Sequence, residues 1–268
     1  MPKPKWNLNT VYISERLQES LRPISRCALT AVIAPMGYGK ATAVNWYLEE
    51  HAKAEPLRVI RISVYSDNLA IFWRSAQDAF ARAGLDLLQD YPCPADAAGG
   101  RLLADDLCHE LAGKVPCYLF IDDFHLLTDR RVTAFLCTLA GRLPANVHLI
   151  IASRDRFLPA AEVVRLGARV YQLGTEQLRL NHTELAVYAH RCGTELSDAQ
   201  VEALLYAPLG RCDTAPAVAA GDIPPRRFLR RPARMICIIL CVLLALACAA
   251  YIGLTVLFVD AVQNRPPA

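Results

Sequence analysis

Three stretches of this chain are apolar at almost every position: ALTAVIA from Ala28 to Ala34, CYLFI from Cys117 to Ile121 and VHLIIA from Val147 to Ala152. Alternate residues of a strand point to opposite faces, so a run without alternation has to be covered on both sides. The sequence between the runs offers helices as that cover. Lys40 to His51, Ala70 to Ala83 and Arg101 to Gly113 have helical character, the second with Phe72, Trp73, Ala76 and Phe80 on one face. Leu57 to Val64 (LRVIRISV) reads as a further strand and Val170 to Leu173 as a final edge strand. The expectation is an α/β chain, a three-layer sandwich around a parallel central sheet.

In such a sheet the chemistry gathers where the strands end. The first run passes into Ala34-Pro35-Met36-Gly37-Tyr38-Gly39-Lys40-Ala41-Thr42 and then a helix. A phosphate-binding loop needs a turn that aims backbone N–H groups at oxygen, a helix N-terminus behind them and a Lys to reach the outer phosphates. Gly37 and Gly39 allow the close approach and Lys40 supplies the charge. The match to G-x-x-x-x-G-K-[ST] departs at two places: Ala34 replaces the first Gly and Ala41 the hydroxyl that touches metal, with Thr42 one residue late. An ordinary glycine-rich turn would read the same way by itself. The second run continues into Asp122-Asp123, a carboxylate pair placed to hold Mg²⁺ and to orient an attacking water, or else merely to open the next loop. The third ends in Ser153-Arg154, and Arg154 reads equally as a sensor of a terminal phosphate or as a surface cation.

Together APMGYGKATAVNWYL, YLFIDDFHLL and HLIIASRDRFLP resemble the ATP-binding domain of large LuxR-type transcriptional regulators, which belong to the STAND class of P-loop NTPases related to AAA+ proteins. VYQLGTEQLRLNHTEL is similar to the segment where that domain enters its helical lid, and the resemblance runs from about Val11 to Leu209. It implies a P-loop NTPase sandwich binding ATP and Mg²⁺. By resemblance, Gly37, Tyr38, Gly39, Lys40 and Thr42 hold the nucleotide, Asp122 serves the metal, Asp123 sits near the attacking water and Arg154 is the sensor. Ala41 stands where the family carries a hydroxyl, which weakens metal coordination and harms hydrolysis more than binding. Past Gly210 the resemblance stops: nothing there is similar to the family's helical sensor repeats or DNA-binding helix-turn-helix, so direct DNA binding is not expected.

Beyond Gly210 the chain also changes in composition. A linker rich in Pro and Arg (211–234) precedes MICIILCVLLALACAAYIGLTVLFV from Met235 to Val259, which has no charged residue. At about 1.5 Å rise per residue, this run spans a hydrocarbon layer of roughly 30 Å. Arg226, Arg227, Arg230, Arg231 and Arg234 before it would keep the N-terminal bulk in the cytoplasm and rest on anionic lipid, leaving a short external tail at 260–268. The run also contributes to the 54 % apolar content and mean hydropathy of +0.22. A net charge of +3 does not announce a nucleic-acid binder. The ten cysteines include no C-x-x-C pair, so reduced thiols are expected rather than a zinc site. The chain thus divides into an N-terminal segment (1–24), the NTPase domain (25–174), a helical extension (175–210) that opens with Asn181 and Glu184 at capping-box spacing, then linker, membrane helix and tail. Three readings stay open: a membrane-anchored nucleotide switch with weak or no hydrolysis and an unidentified protein partner, an inactive interaction or decoy module, or a truncated or frame-shifted relative of such regulators.

Overall fold

A computed structural model describes residues 11–206, which lie within one compact unit. The expected linker, membrane helix and tail at 211–268 lie outside the described residues. Among the described residues no helix is long and apolar enough to cross a membrane. In chain order the elements are α1 (Glu15–Leu21), β1 (Leu29–Ile33), α2 (Lys40–Ala54), β2 (Arg58–Ser63), α3 (Leu69–Arg82), α4 (Ala97–Leu111), β3 (Cys117–Asp122), α5 (Arg130–Arg142), β4 (Val147–Ser153), α6 (Ala160–Leu166), β5 (Val170–Leu173), α7 (Thr175–Leu178), α8 (His182–Arg191) and α9 (Asp198–Tyr206).

The five strands form one parallel sheet in the order β2-β3-β4-β1-β5. Sequence pattern and place agree. The three apolar runs are the three inner strands, and β4 is buried at all seven positions. β2 and β5 are the edges. β2 leaves Arg58 and Arg61 exposed, and β5 buries Leu173 alone. Side chains from the two faces enter separate cores. On one face Leu119, Ile121, Leu149 and Ile151 pack with Phe72, Phe80, Leu103 and Leu136 from α3, α4 and α5. On the other, Tyr118, Phe120 and Ile150 meet Val44, Tyr47 and Leu48 of α2 together with Leu17 and Leu21 of α1. This is the expected three-layer arrangement.

Some elements differ from the sequence expectation. α4 begins at Ala97, four residues before the expected start, because the Asp96 side chain accepts a hydrogen bond from Gly99 N at 2.8 Å and caps the helix through two glycines. α5 and α6 have no counterpart in the sequence pattern, and α5 is capped by Asp129, which accepts from Arg131 N. α1 shares the core with α2. Its Arg16 also reaches the helical extension: the guanidinium donates to Glu184 Oε1 at 3.0 Å and Oε2 at 2.8 Å, and to the carbonyls of Glu176, Gln177 and Arg179.

Candidate functional site at the strand ends

The parallel register brings the last residues of the inner strands to one edge: Ile33 pairs with Ser153, and Ile121 with Ile151, so Asp122 ends level with them. The loop after β1 therefore shares its edge with the acids after β3 and with Arg154 after β4. Between β1 and α2 the backbone turns left-handed twice, at Gly37 (φ +91°) and Gly39 (φ +72°), a conformation that side chains disfavour. Gly39 is the N-cap of α2 and brings no side chain to the first-turn amides. In this the helix stands apart. Among the described helices of ten or more residues, α3, α4, α5 and α8 all have a side-chain cap, from Asn68, Asp96, Asp129 and Asn181. A glycine cap gives up only about a few tenths of a kcal/mol relative to a side-chain cap, so α2 forgoes little stability and keeps donors free for an external acceptor.

Lys40 is 9 % exposed and turns back on its own loop, donating to Ala34 O at 2.7 Å and Pro35 O at 3.0 Å. Burial lowers its pKa, as does the charge of Arg154, while Asp123 and Asp122 act in the opposite sense. Those four charges therefore occupy one neighbourhood. Among the described residues no ion pair joins the lysine to either acid, so its ammonium is near carboxylates and not consumed by them. Asp122 is half-buried, and burial raises its pKa against the lowering influence of the Asp123 amide and Lys40. One of its oxygens accepts from Asp123 N at 2.9 Å, which holds the chain as it enters a left-handed turn at Asp123 (φ +55°). The Asp123 carboxylate is half-exposed, and Arg154 is exposed, its guanidinium resting on the Met36 sulfur at 3.5 Å.

The remaining expected residues lie less centrally. Tyr38 is half-buried and packs, with Ala41, against the core on the α2 side of the sheet. Thr42 is exposed in the first turn of α2, one position beyond Ala41. The cup suits a polyphosphate: free amides, one ammonium and one guanidinium. For a hard cation it offers the Asp122 carboxylate without a neighbouring hydroxyl at Ala41. Among the described residues no cluster of three or more His, Cys, Asp or Glu forms a metal cage. One carboxylate fits Mg²⁺, which characteristically takes one or two protein carboxylates and leaves the rest of its shell to phosphates and water.

Two polar groups at this edge lack partners. Ser153 Oγ is wholly buried without a hydrogen bond. So are both ring nitrogens of His125, whose side chain is 8 % exposed and whose Nδ1 lies 3.9 Å from Asp123 Oδ1. Leaving such a group unsatisfied costs about 1–3 kcal/mol. Burial and Arg154 lower the His125 pKa, which favours the neutral ring. Sequence reasoning missed His125. A histidine three residues past an acid gives no local sign of burial, and only its placement under the neighbouring loops makes it notable.

No known protein-family profile matches the chain. It is 28 % identical over 188 residues to the HTH-type transcriptional regulator MalT of Yersinia enterocolitica and 29 % identical over 188 residues to MalT of Serratia proteamaculans, in each case covering 66 % of this chain and 20 % of the regulator. The chain thus spans about a fifth of the length of the curated relatives it matches. Among solved structures it is similar to Cdc6p from Pyrobaculum aerophilum, with TM-score 0.43, 14 % identity and coverage of 71 % of this chain and 52 % of that one. A Walker-type ATPase of Pyrococcus abyssi gives TM-score 0.40 and 10 % identity, covering 76 % and 65 %. The sequence likeness and the site geometry together support an NTPase module resembling that of MalT-like regulators.

Proposed function

We propose that this chain is a membrane-anchored ATP-binding protein that works as a nucleotide-dependent switch with weak or no hydrolysis. The observation that carries the nucleotide reading is the uncapped start of α2: two left-handed glycines and free first-turn amides, with Lys40 beside them and Asp122 within its electrostatic reach. The amides from Gly37 to Thr42 would take the inner phosphates, and Lys40 would exchange the Ala34 and Pro35 carbonyls for the outer ones. Asp122 would hold Mg²⁺ directly or through water, Asp123 would face the water near the terminal phosphate, and Arg154 would face that phosphate. Bound Mg²⁺ supplies charge neutralisation at the phosphates. Ala41 contributes no hydroxyl to it, which favours binding without efficient turnover.

A switch needs only different affinities for two states. The Arg16 hub joins α1 to α7 and α8, so it supports the helical extension as the element that responds, read by an unidentified protein partner. The run at 235–259 would hold the module at the cytoplasmic face of a membrane, its flanking arginines on lipid headgroups. No direct contact with DNA is assigned to it.

Calorimetric titration of the full chain with MgATP tests the first part. Saturable binding with ADP competing is expected; absence of heat and of competition would leave the inactive interaction module. Membrane fractionation of the full chain against one ending at Arg231 tests the anchor. Pelleting with membranes only when 235–259 is present supports it, and identical partitioning of both chains refutes it.

A further inference from the structure

His125 is held close to the Asp123 carboxylate. It sits in a single tight turn, with Leu126 N bonded to Asp123 O at 3.0 Å and Leu127 N to Phe124 O at 3.0 Å. Phe124, 1 % exposed, meets Phe157 edge-on at 5.0 Å and pins that turn to the core. The ring therefore has no easy route to solvent, and both nitrogens stay unpartnered. Asp123 is the reverse: its carboxylate is half-exposed, accepts no hydrogen bond among the described residues and has Oδ1 3.9 Å from His125 Nδ1. A movement of about 1 Å would bring that pair to hydrogen-bond distance.

We propose that His125 is a positioning residue for Asp123, its Nδ1–H donating to that carboxylate when the terminal phosphate of a nucleoside triphosphate fills the site. The inference rests on the nucleotide-binding function proposed for the strand-end site. Lys40 acts electrostatically on Asp123, and Arg154 on the neighbouring His125. A terminal phosphate engages both cations, and its own charge disfavours a carboxylate left loose beside it. The imidazole is then the buried donor within reach. Making this bond fixes the direction of Asp123 and satisfies one orphaned nitrogen, so part of the affinity for a triphosphate comes from inside the protein.

Titrations of MgATP and MgADP into the full chain, wild type and variants, test this. His125→Phe fills the space without a donor: MgATP binding weakens roughly five-fold while MgADP changes less than about two-fold. His125→Asn, whose amide nitrogen can stand near Nδ1, retains most of the preference. His125→Gln, which reaches instead toward the Nε2 position, loses it and carries the comparison if the phenylalanine variant does not fold. In a cycle with Asp123→Asn the effects are not additive, because His125 acts through that carboxylate. Equal losses for ATP and ADP, additivity in the cycle, or unchanged affinities in both His125→Phe and His125→Gln would overturn the inference while leaving the nucleotide reading intact. A wild type that binds no nucleotide overturns both.

Discussion

Two helices of this protein begin on opposite terms. At the start of α8 the Asn181 side chain accepts from Glu184 N at 2.8 Å, Glu184 accepts from Asn181 N at 2.8 Å, and Arg16 donates twice to the same carboxylate. Side chains from the same protein serve that N-terminus and its capping carboxylate. At the start of α2 a glycine stands where the cap would be, the next side chain is a lysine folded back on its own loop, and no side chain serves the first-turn amides. Both starts present the positive end of a helix. One is closed by internal groups, which makes it architecture; the other is open and glycine-shaped, which makes it a place for an anion from outside. The contrast predicts that lesions at α2 register in binding and lesions at α8 register in stability.

The largest expected effect lies at α2. Lys40→Ala should weaken ATP binding roughly 100-fold, the loss of a charge-assisted contact to the outer phosphates, and fluorescence anisotropy with a labelled nucleotide measures it. The ligand-free unfolding midpoint should move little by comparison. A variant that binds as well as wild type breaks the contrast at its root.

The next effect lies at α8 and shows itself in acid. Bonds from Arg16 and from the Asn181 amide hold Glu184 at a pKa of about 2, below its ordinary value of 4.5, against the cost of burial. A depressed carboxylate contributes stability that is present above the unfolded-state pKa and is lost as pH falls through the folded-state value. Stability should therefore decline between about pH 4.5 and pH 2. Discounted for the partly exposed arginine, the contribution is on the order of 2 kcal/mol. Glu184→Gln, which keeps the capping geometry, should lose that amount at neutral pH and flatten the acid branch of the urea-unfolding profile. If it instead weakens ATP binding more than its stability, the extension is not merely structural.

How much of this contrast could be read from residues differs between its halves. The central strands were legible because burial on both faces leaves no alternation in ALTAVIA, CYLFI and VHLIIA, and the strand-end motifs followed from topology once those were placed. The Asn181–Glu184 box was legible because a cap is local. The unread parts depend on distant residues. Arg16 belongs to a seven-residue helix that shows little by itself, and its partner Glu184 lies 168 positions away. α5 went unrecognised between two obvious strands, and nothing near His125 in sequence announces that its ring is buried. Lys40 resting on Ala34 and Pro35 carbonyls is likewise a property of the folded loop.

A smaller effect sharpens the α2 side. Ala41→Thr restores a hydroxyl to the first turn, and phosphate release from ATP should rise about ten-fold with ATP affinity changed less than three-fold. Ala41 packs against the core, so the added atoms cost about 1–3 kcal/mol of stability. Equal activity in the two proteins would mean that the missing hydroxyl is not what limits turnover.

The smallest effect is the cleanest test of the closed helix. Asn181→Ala removes the cap from Glu184 N but leaves the arginine pair in place, so it isolates the backbone share of the arrangement. α8 has ten residues and buries only Glu184 and Ala189, so little packing compensates for a frayed first turn. The expected cost is about 1 kcal/mol, or a midpoint lower by roughly 2–4 °C in thermal unfolding. Titration of the same variant with ATP decides whether the two helix starts are independent. Affinity within two-fold of wild type keeps α8 as scaffold, whereas a larger change means that the nucleotide senses the order of the extension through α1, as a switch would require.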